Sequence, residues 1–90
     1  MKDGDDRVLR GLREEIDAID DEIFAAVNRR LEVVARLRRH KDERGVAFRD
    51  PRREQEMVDA RARSNPGPLS EKGLRAFYAE LLALVKRELG

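Results

Sequence analysis

Four cations stand where a simple helical pattern leaves no place for them: Arg13, Arg30, Lys41 and Arg53, the last flanked by Asp50 and Glu54. Arg30 falls on the line of Ile16, Ile23 and Leu37, where an apolar residue belongs. Arg13 and Lys41 end a second line that runs through Asp20, Val27 and Val34. Arg52 and Arg53 follow Asp50-Pro51, a helix start, so they oppose the helix dipole at a cost of a few tenths of a kcal/mol each. One such arginine ordinarily packs its stem and lets its head reach water, and Arg52 and Arg53 can pair outward with Glu54 and Glu56. Three cations along one inward face are different, because buried charge must be paired. A small polyanion would supply that pairing, in particular a dicarboxylate held by two arginine forks.

Other chemistries are poorly served. The chain has no Cys, no Thr, two Ser in loop-like contexts and one His without an evident partner, so covalent nucleophilic catalysis lacks its parts. The same counts remove disulfides and any ordinary zinc site, and no glycine-rich loop is placed to cradle phosphate. Neither metal nor cofactor is expected. What remains is catalysis by orientation and a fixed electrostatic field.

The positioning elements are helical. Leu9, Leu12, Ile16, Ile19, Ile23, Ala26, Val33 and Leu37 alternate at three and four residues, with no Pro or Gly between Gly11 and Gly45. One helix is expected from about Asp6 to Glu43, capped by Asp5 or Asp6, behind a flexible tail over residues 1–5. Its outer face, acidic early and basic late, suits the dipole and reads as solvated. Gly45 stops it, and Val46-Ala47-Phe48 is an apolar connector able to fold back over the helix end. Asp50 caps a second helix over about Pro51 to Arg63, with Met57, Val58 and Ala60 on its apolar face. The Ser64-Asn65-Pro66-Gly67-Pro68 stretch is a loop, and Ser70 caps a third helix under a Leu69–Leu74 staple. Its inward face is expected to hold Leu74, Phe77, Tyr78, Leu81, Leu82 and Val85, with Glu88 and Leu89 both able to continue it.

The fold expected is therefore all-α, one long helix and two shorter ones in a single domain over residues 1–90. Hydrophobic residues make up 40% of the chain and only four are aromatic, a thin core for independent stability. A helix of about 37 residues is roughly 55 Å long, against a radius of gyration of about 12 Å for a compact chain of this length. The first helix must overhang its own domain, and an intertwined homodimer is the simplest cover for its apolar stripe. Along that helix Arg30 and Lys41 are about 16 Å apart and can converge on one ligand, whereas Arg13, roughly 25 Å from Arg30, can join only from the other protomer. Twenty basic and 19 acidic residues leave a net charge of +1, which is not the footprint of a general nucleic-acid binder. No secretory signal and no membrane span is evident, so a cytoplasmic location is the default.

The ordered set Leu12-Arg13, Asp20, Arg29-Arg30, Lys41, Asp50-Pro51 and Arg53-Glu54 resembles the all-helical chorismate mutases, at that family's spacing and without a gap. The match is strong over about residues 8 to 60 and weak in the third helix. The Asp-Pro turn and the Asn65-Pro66-Gly67-Pro68 loop are most similar to the bacterial variant often fused ahead of deoxy-arabino-heptulosonate-phosphate synthase, although the chain ends after its helices and no attached synthase is expected. The resemblance implies an intertwined dimer with two shared active sites, and the Claisen rearrangement of chorismate to prephenate in the shikimate pathway to phenylalanine and tyrosine, without a cofactor. It further implies that Arg30, and Arg13 from the other protomer, bind the two substrate carboxylates. Lys41 would contact a carboxylate and the ether oxygen, Arg53 and Asp50 would line the site, and Glu54 would hold the ring hydroxyl.

The third helix departs from the family, which places a Gln or Glu near its end to donate a hydrogen bond to the breaking ether bond. Ungapped correspondence puts Leu89 there, with Glu88 one residue away. A change of register would bring in Glu88 as a catalytic donor, and a glutamate donates only with its proton, so activity would then favour low pH. Two other functions fit the same pocket: an isochorismate pyruvate lyase, and a ligand-sensing or regulatory module docking on a separate synthase.

Overall fold

The computed structural model describes residues 2–47 and 49–90, with side-chain surroundings from residue 6 onward. Phe48 of the apolar connector lies outside the described residues. The chain forms three helices, α1 (Lys2–Glu43), α2 (Pro51–Ser64) and α3 (Glu71–Leu89). Helix α1 begins four residues before the expected start, so Asp5 and Asp6 lie inside it rather than capping it. No proline interrupts Lys2–Asp5, and an acidic first turn is favourable at the positive end of a helix dipole. The chain divides into two compact units, Met1–Val34 and Ala35–Gly90.

The first unit is helical throughout its described length. Its apolar seam is left open to solvent: Leu9, Leu12, Ile16, Ile19 and Ile23 keep 45–56% of their surface accessible. The half-buried residues are instead Val27, Arg30, Leu31 and Val34. This is the second line with its neighbours, joined by the misplaced arginine.

In the second unit, the end of α1 closes in a Schellman turn. The Val46 amide donates to the Lys41 carbonyl at 2.8 Å and the Gly45 amide to Asp42 at 3.1 Å, while Gly45 adopts φ +68°. No neighbour crowds a Cβ at Gly45, so the demand for glycine there is conformational. Helix α2 starts as expected: the Asp50 carboxylate accepts from the Arg53 amide at 3.1 Å and Pro51 takes the first helical position. In α3 the Ser70 hydroxyl accepts from the Gly73 amide at 3.0 Å.

Helices α2 and α3 pack together. Met57, Val58 and Ala60 are half-buried on one side, and Leu74, Tyr78, Leu81 and Leu82 on the other, with Val85 fully buried. Polar ties hold the pair in register: Arg75 donates to Asp59 at 2.9 Å, and the Tyr78 hydroxyl donates to the Met57 sulfur at 3.6 Å. Phe77, expected inward, is 60% exposed. The face turned to α2 runs through Leu74, Tyr78, Leu81 and Val85, and Phe77 lies on its flank. Arg38 of α1 donates to the Leu89 carbonyl, which ties the last turn of α3 to the end of α1.

Candidate active site

Of the residues singled out by sequence, Arg13 and Arg30 belong to the first unit. Arg13 is exposed beside a shallow depression on α1 that it shares with Asp6, Leu9, Arg10, Glu14 and Asp17. Arg30 is half-buried, unusual for a guanidinium within a chain this exposed.

The second unit holds Lys41, Asp50, Arg53, Glu54 and Glu88. Lys41 is half-buried one turn before the Schellman closure, and the closure fixes where its stem leaves the helix. Asp50 spends one carboxylate oxygen on the cap of α2, which anchors the turn that carries Arg53 and Glu54. Arg53 is exposed, and Arg52 makes the outward pair with Glu56 at 3.7 Å. Both arginines thus lie at the surface, and the outward ion pair belongs to Arg52. Glu54, half-buried, turns toward α3, where its carboxylate meets the Lys86 ammonium at 3.4 Å.

At the end of α3 the two candidates separate. Glu88 is exposed, whereas Leu89 is half-buried and lines a cavity of about 330 Å³ with Arg38, Arg49, Lys86 and Gly90. That lining carries three cations and no acidic side chain. A second cavity, about 500 Å³, runs between α2 and α3 past Pro51, Glu54, Gln55, Val58, Arg75 and Tyr78. Glu54 stands at its edge, so one carboxylate faces both the helix groove and the lysine of α3.

Electrostatic perturbation is concentrated on the α2–α3 tie. Hydrogen bonding from Arg75 pulls the Asp59 carboxyl below its ordinary range against a smaller desolvation penalty, and Gln55 adds a second bond at 3.1 Å. Bonding to Asp59 and then Glu71 raises the Arg75 guanidinium in turn. This pair is structural, since it braces the wall beside Glu54 rather than facing the cationic cavity.

Sequence reasoning passed over Lys86, Arg38 and Arg49. A signal for Lys86 existed: it lies four residues after Leu82 and three before Leu89, on a line already expected to face inward. Arg38 and Arg49 carried no comparable signal, being one of several basic residues on α1 and a loop residue before the Asp-Pro turn.

Among the described residues no group of His, Asp and Glu side chains is arranged to hold a metal ion, and no helix is long and apolar enough to cross a membrane. The family model for chorismate mutase type II matches residues 12–88. Among solved structures, the chain is similar to chorismate mutase from Thermus thermophilus in two forms. With Form I it shares 30% identity and a TM-score of 0.83, over 86% of this chain and 96% of that one. With Form II the values are 29% and 0.84, over 88% and 90%. No curated protein matches the chain. The family match spans the whole set from Arg13 to Glu88 and runs through all three helices, so the chain belongs to the chorismate mutase type II family.

Proposed function

We propose that the protein converts chorismate to prephenate in a cationic pocket shared between two copies of the chain, as a cytoplasmic step toward phenylalanine and tyrosine. In this rearrangement the ether C–O bond breaks as a new C–C bond forms within one molecule, so no nucleophile, oxidant or leaving group is needed. The protein's task is to fold the substrate into its reactive shape and stabilise the charge that builds on the ether oxygen. Lys41 meets that oxygen and a neighbouring carboxylate. Arg30 grips one carboxylate, and Arg13 of the partner subunit grips the other. Arg53 and Asp50 border the pocket, and Glu54 accepts the ring hydroxyl.

The observation that carries this function is the family match over residues 12–88, which contains every one of these side chains in order. The partial burial of Arg30, Lys41 and Glu54 supports it, because it places both signs of charge where water is partly excluded and a charged ligand is held more strongly. The open seam on α1 supports the second copy. Five large aliphatic residues at 45–56% exposure in one unit leave apolar surface that association would bury, at about 25 cal/mol per Å².

The test is direct. The purified protein is incubated with chorismate while its absorbance is followed, and prephenate is identified as the product. Persistence of chorismate, or release of salicylate and pyruvate from isochorismate in its place, would overturn the assignment.

A further inference from the structure

We infer that Lys86 is a positioning residue of the active site, holding the Glu54 carboxylate in the orientation that accepts the substrate's ring hydroxyl. This rests on the role given to Glu54 above.

Three observations carry it. Lys86 sits in the last turn of α3 and Glu54 in the first turn of α2, yet Nζ lies 3.4 Å from Oε1. Glu54 is the more withdrawn of the two at 26% exposed against 37% for Lys86, and both are less open than the neighbouring Arg52–Glu56 pair at 92% and 58%. Lys86 also borders the cavity of Arg38, Arg49 and Leu89, so it links the carboxylate of α2 to a lining that is otherwise cationic and apolar.

The physical consequence follows from how a glutamate moves. Its terminal torsion is broad and roughly two-fold, so an untethered carboxylate samples many planes. An ammonium on Oε1 selects one plane and leaves Oε2 to accept a hydroxyl. The lysine also offsets the charge that Glu54 brings toward a dianionic substrate, whose own carboxylates a bare glutamate would repel. A pair exposed to water on all sides would do little of this. Here Glu54 is largely withdrawn between α2 and α3, so the lysine's hold on its carboxylate plane outlasts the screening that weakens its charge.

The experiment is a double-mutant cycle of Lys86→Met and Glu54→Gln, with Lys86→Arg and Lys86→Gln alongside, reading kcat and KM for chorismate and helix content by circular dichroism. Loss of a hydrogen bond to a charged group predicts about a tenfold fall in kcat/KM for Lys86→Met. The fall should lie mainly in KM, because the hydroxyl contact exists in both ground and transition states. Lys86→Arg should recover most of it, and Lys86→Gln part. With Glu54→Gln already present, Lys86→Met should cost less than about twofold, since the group it acts through is gone.

Additive losses in the cycle would overturn the inference, as would a fall in kcat with KM unchanged and helix content reduced, the mark of a merely structural lysine. An intact cycle partner is also required: if Glu54→Gln alone leaves kcat/KM at the wild-type value while chorismate is still turned over, the role of Glu54 fails and that of Lys86 with it. Absence of turnover in the wild type would overturn the function itself, a result distinguishable from either.

Discussion

In the proposed site, the side chain that the end of α3 turns inward bears directly on the rate. Leu89 is half-buried against Lys86 and Arg38, and its carbonyl accepts from Arg38, while Glu88 is exposed. The tie from Arg38 fixes the register of the last turn, and with it which of the two neighbours faces the cavity. In the proposed site, a leucine turned inward leaves Lys41 as the cation assigned to the ether oxygen and puts no Gln or Glu at this end of α3 to assist it. Leu89→Gln is therefore expected to raise kcat, by on the order of tenfold to a hundredfold, since one well-placed donor to a developing oxyanion contributes about that much or more. Glu88→Gln should leave kcat and its pH profile as they are. Steady-state rates from about pH 5 to 9 check both, and a profile flattened by Glu88→Gln would return that residue to the site. At this scale Arg30 was legible because it interrupts an apolar line, and Lys86 was equally legible in principle. It was hidden by Arg87 beside it, since a Lys-Arg pair at a helix end already has an ordinary explanation in the helix dipole.

The elements were legible where local chemistry dictates them. Asp50-Pro51, Ser70 and Gly45 each specify one backbone conformation, and each cap or stop stands where its residue type requires. The α2–α3 register was not legible, because Asp59 and Arg75 are sixteen residues apart and no periodicity pairs them. That tie makes helix pairing sensitive to acid. The folded Asp59 carboxyl titrates below its ordinary value, so the pair stabilises the fold at neutral pH, where the carboxylate is charged in both states. The contribution is lost as pH falls through the depressed folded value, from about pH 4 downward. Arg75→Gln should lower thermal stability at pH 7 by a few degrees at most, because both side chains remain more than a third exposed and water screens them. The difference between variant and wild type should shrink toward zero near pH 2. Melting curves across pH 2–7 measure it, and a gap that stays constant with pH would show that Arg75 contributes through packing alone.

At the scale of the whole molecule, the length of α1 and the placing of its apolar residues pull in one direction. Forty-two residues form one helix, and its richest seam, from Leu9 to Ile23, is left open by its own chain. Periodicity revealed the seam in the sequence. Which line this chain would cover and which it would leave bare was less evident, because both lines are apolar in the middle. The half-buried stripe turned out to be the one through Val27 and Val34, and the open one is free for a second copy. In the proposed site a second copy would also be needed for completion, since Arg13, about 25 Å along the helix from Arg30, would reach a ligand held by Arg30 only from the partner subunit. Arg13→Ala and Arg30→Ala should therefore each lose most activity while remaining helical and dimeric. Mixed after subunit exchange, the two inactive proteins should recover activity: a heterodimer places both substitutions in one site and leaves the other intact. Random pairing makes about half the dimers mixed, so about a quarter of wild-type turnover per site should return. Exchange is verified by mass on differently tagged chains. Complete exchange with no recovered turnover would place Arg13 outside the shared site and leave the open seam as a surface for association alone.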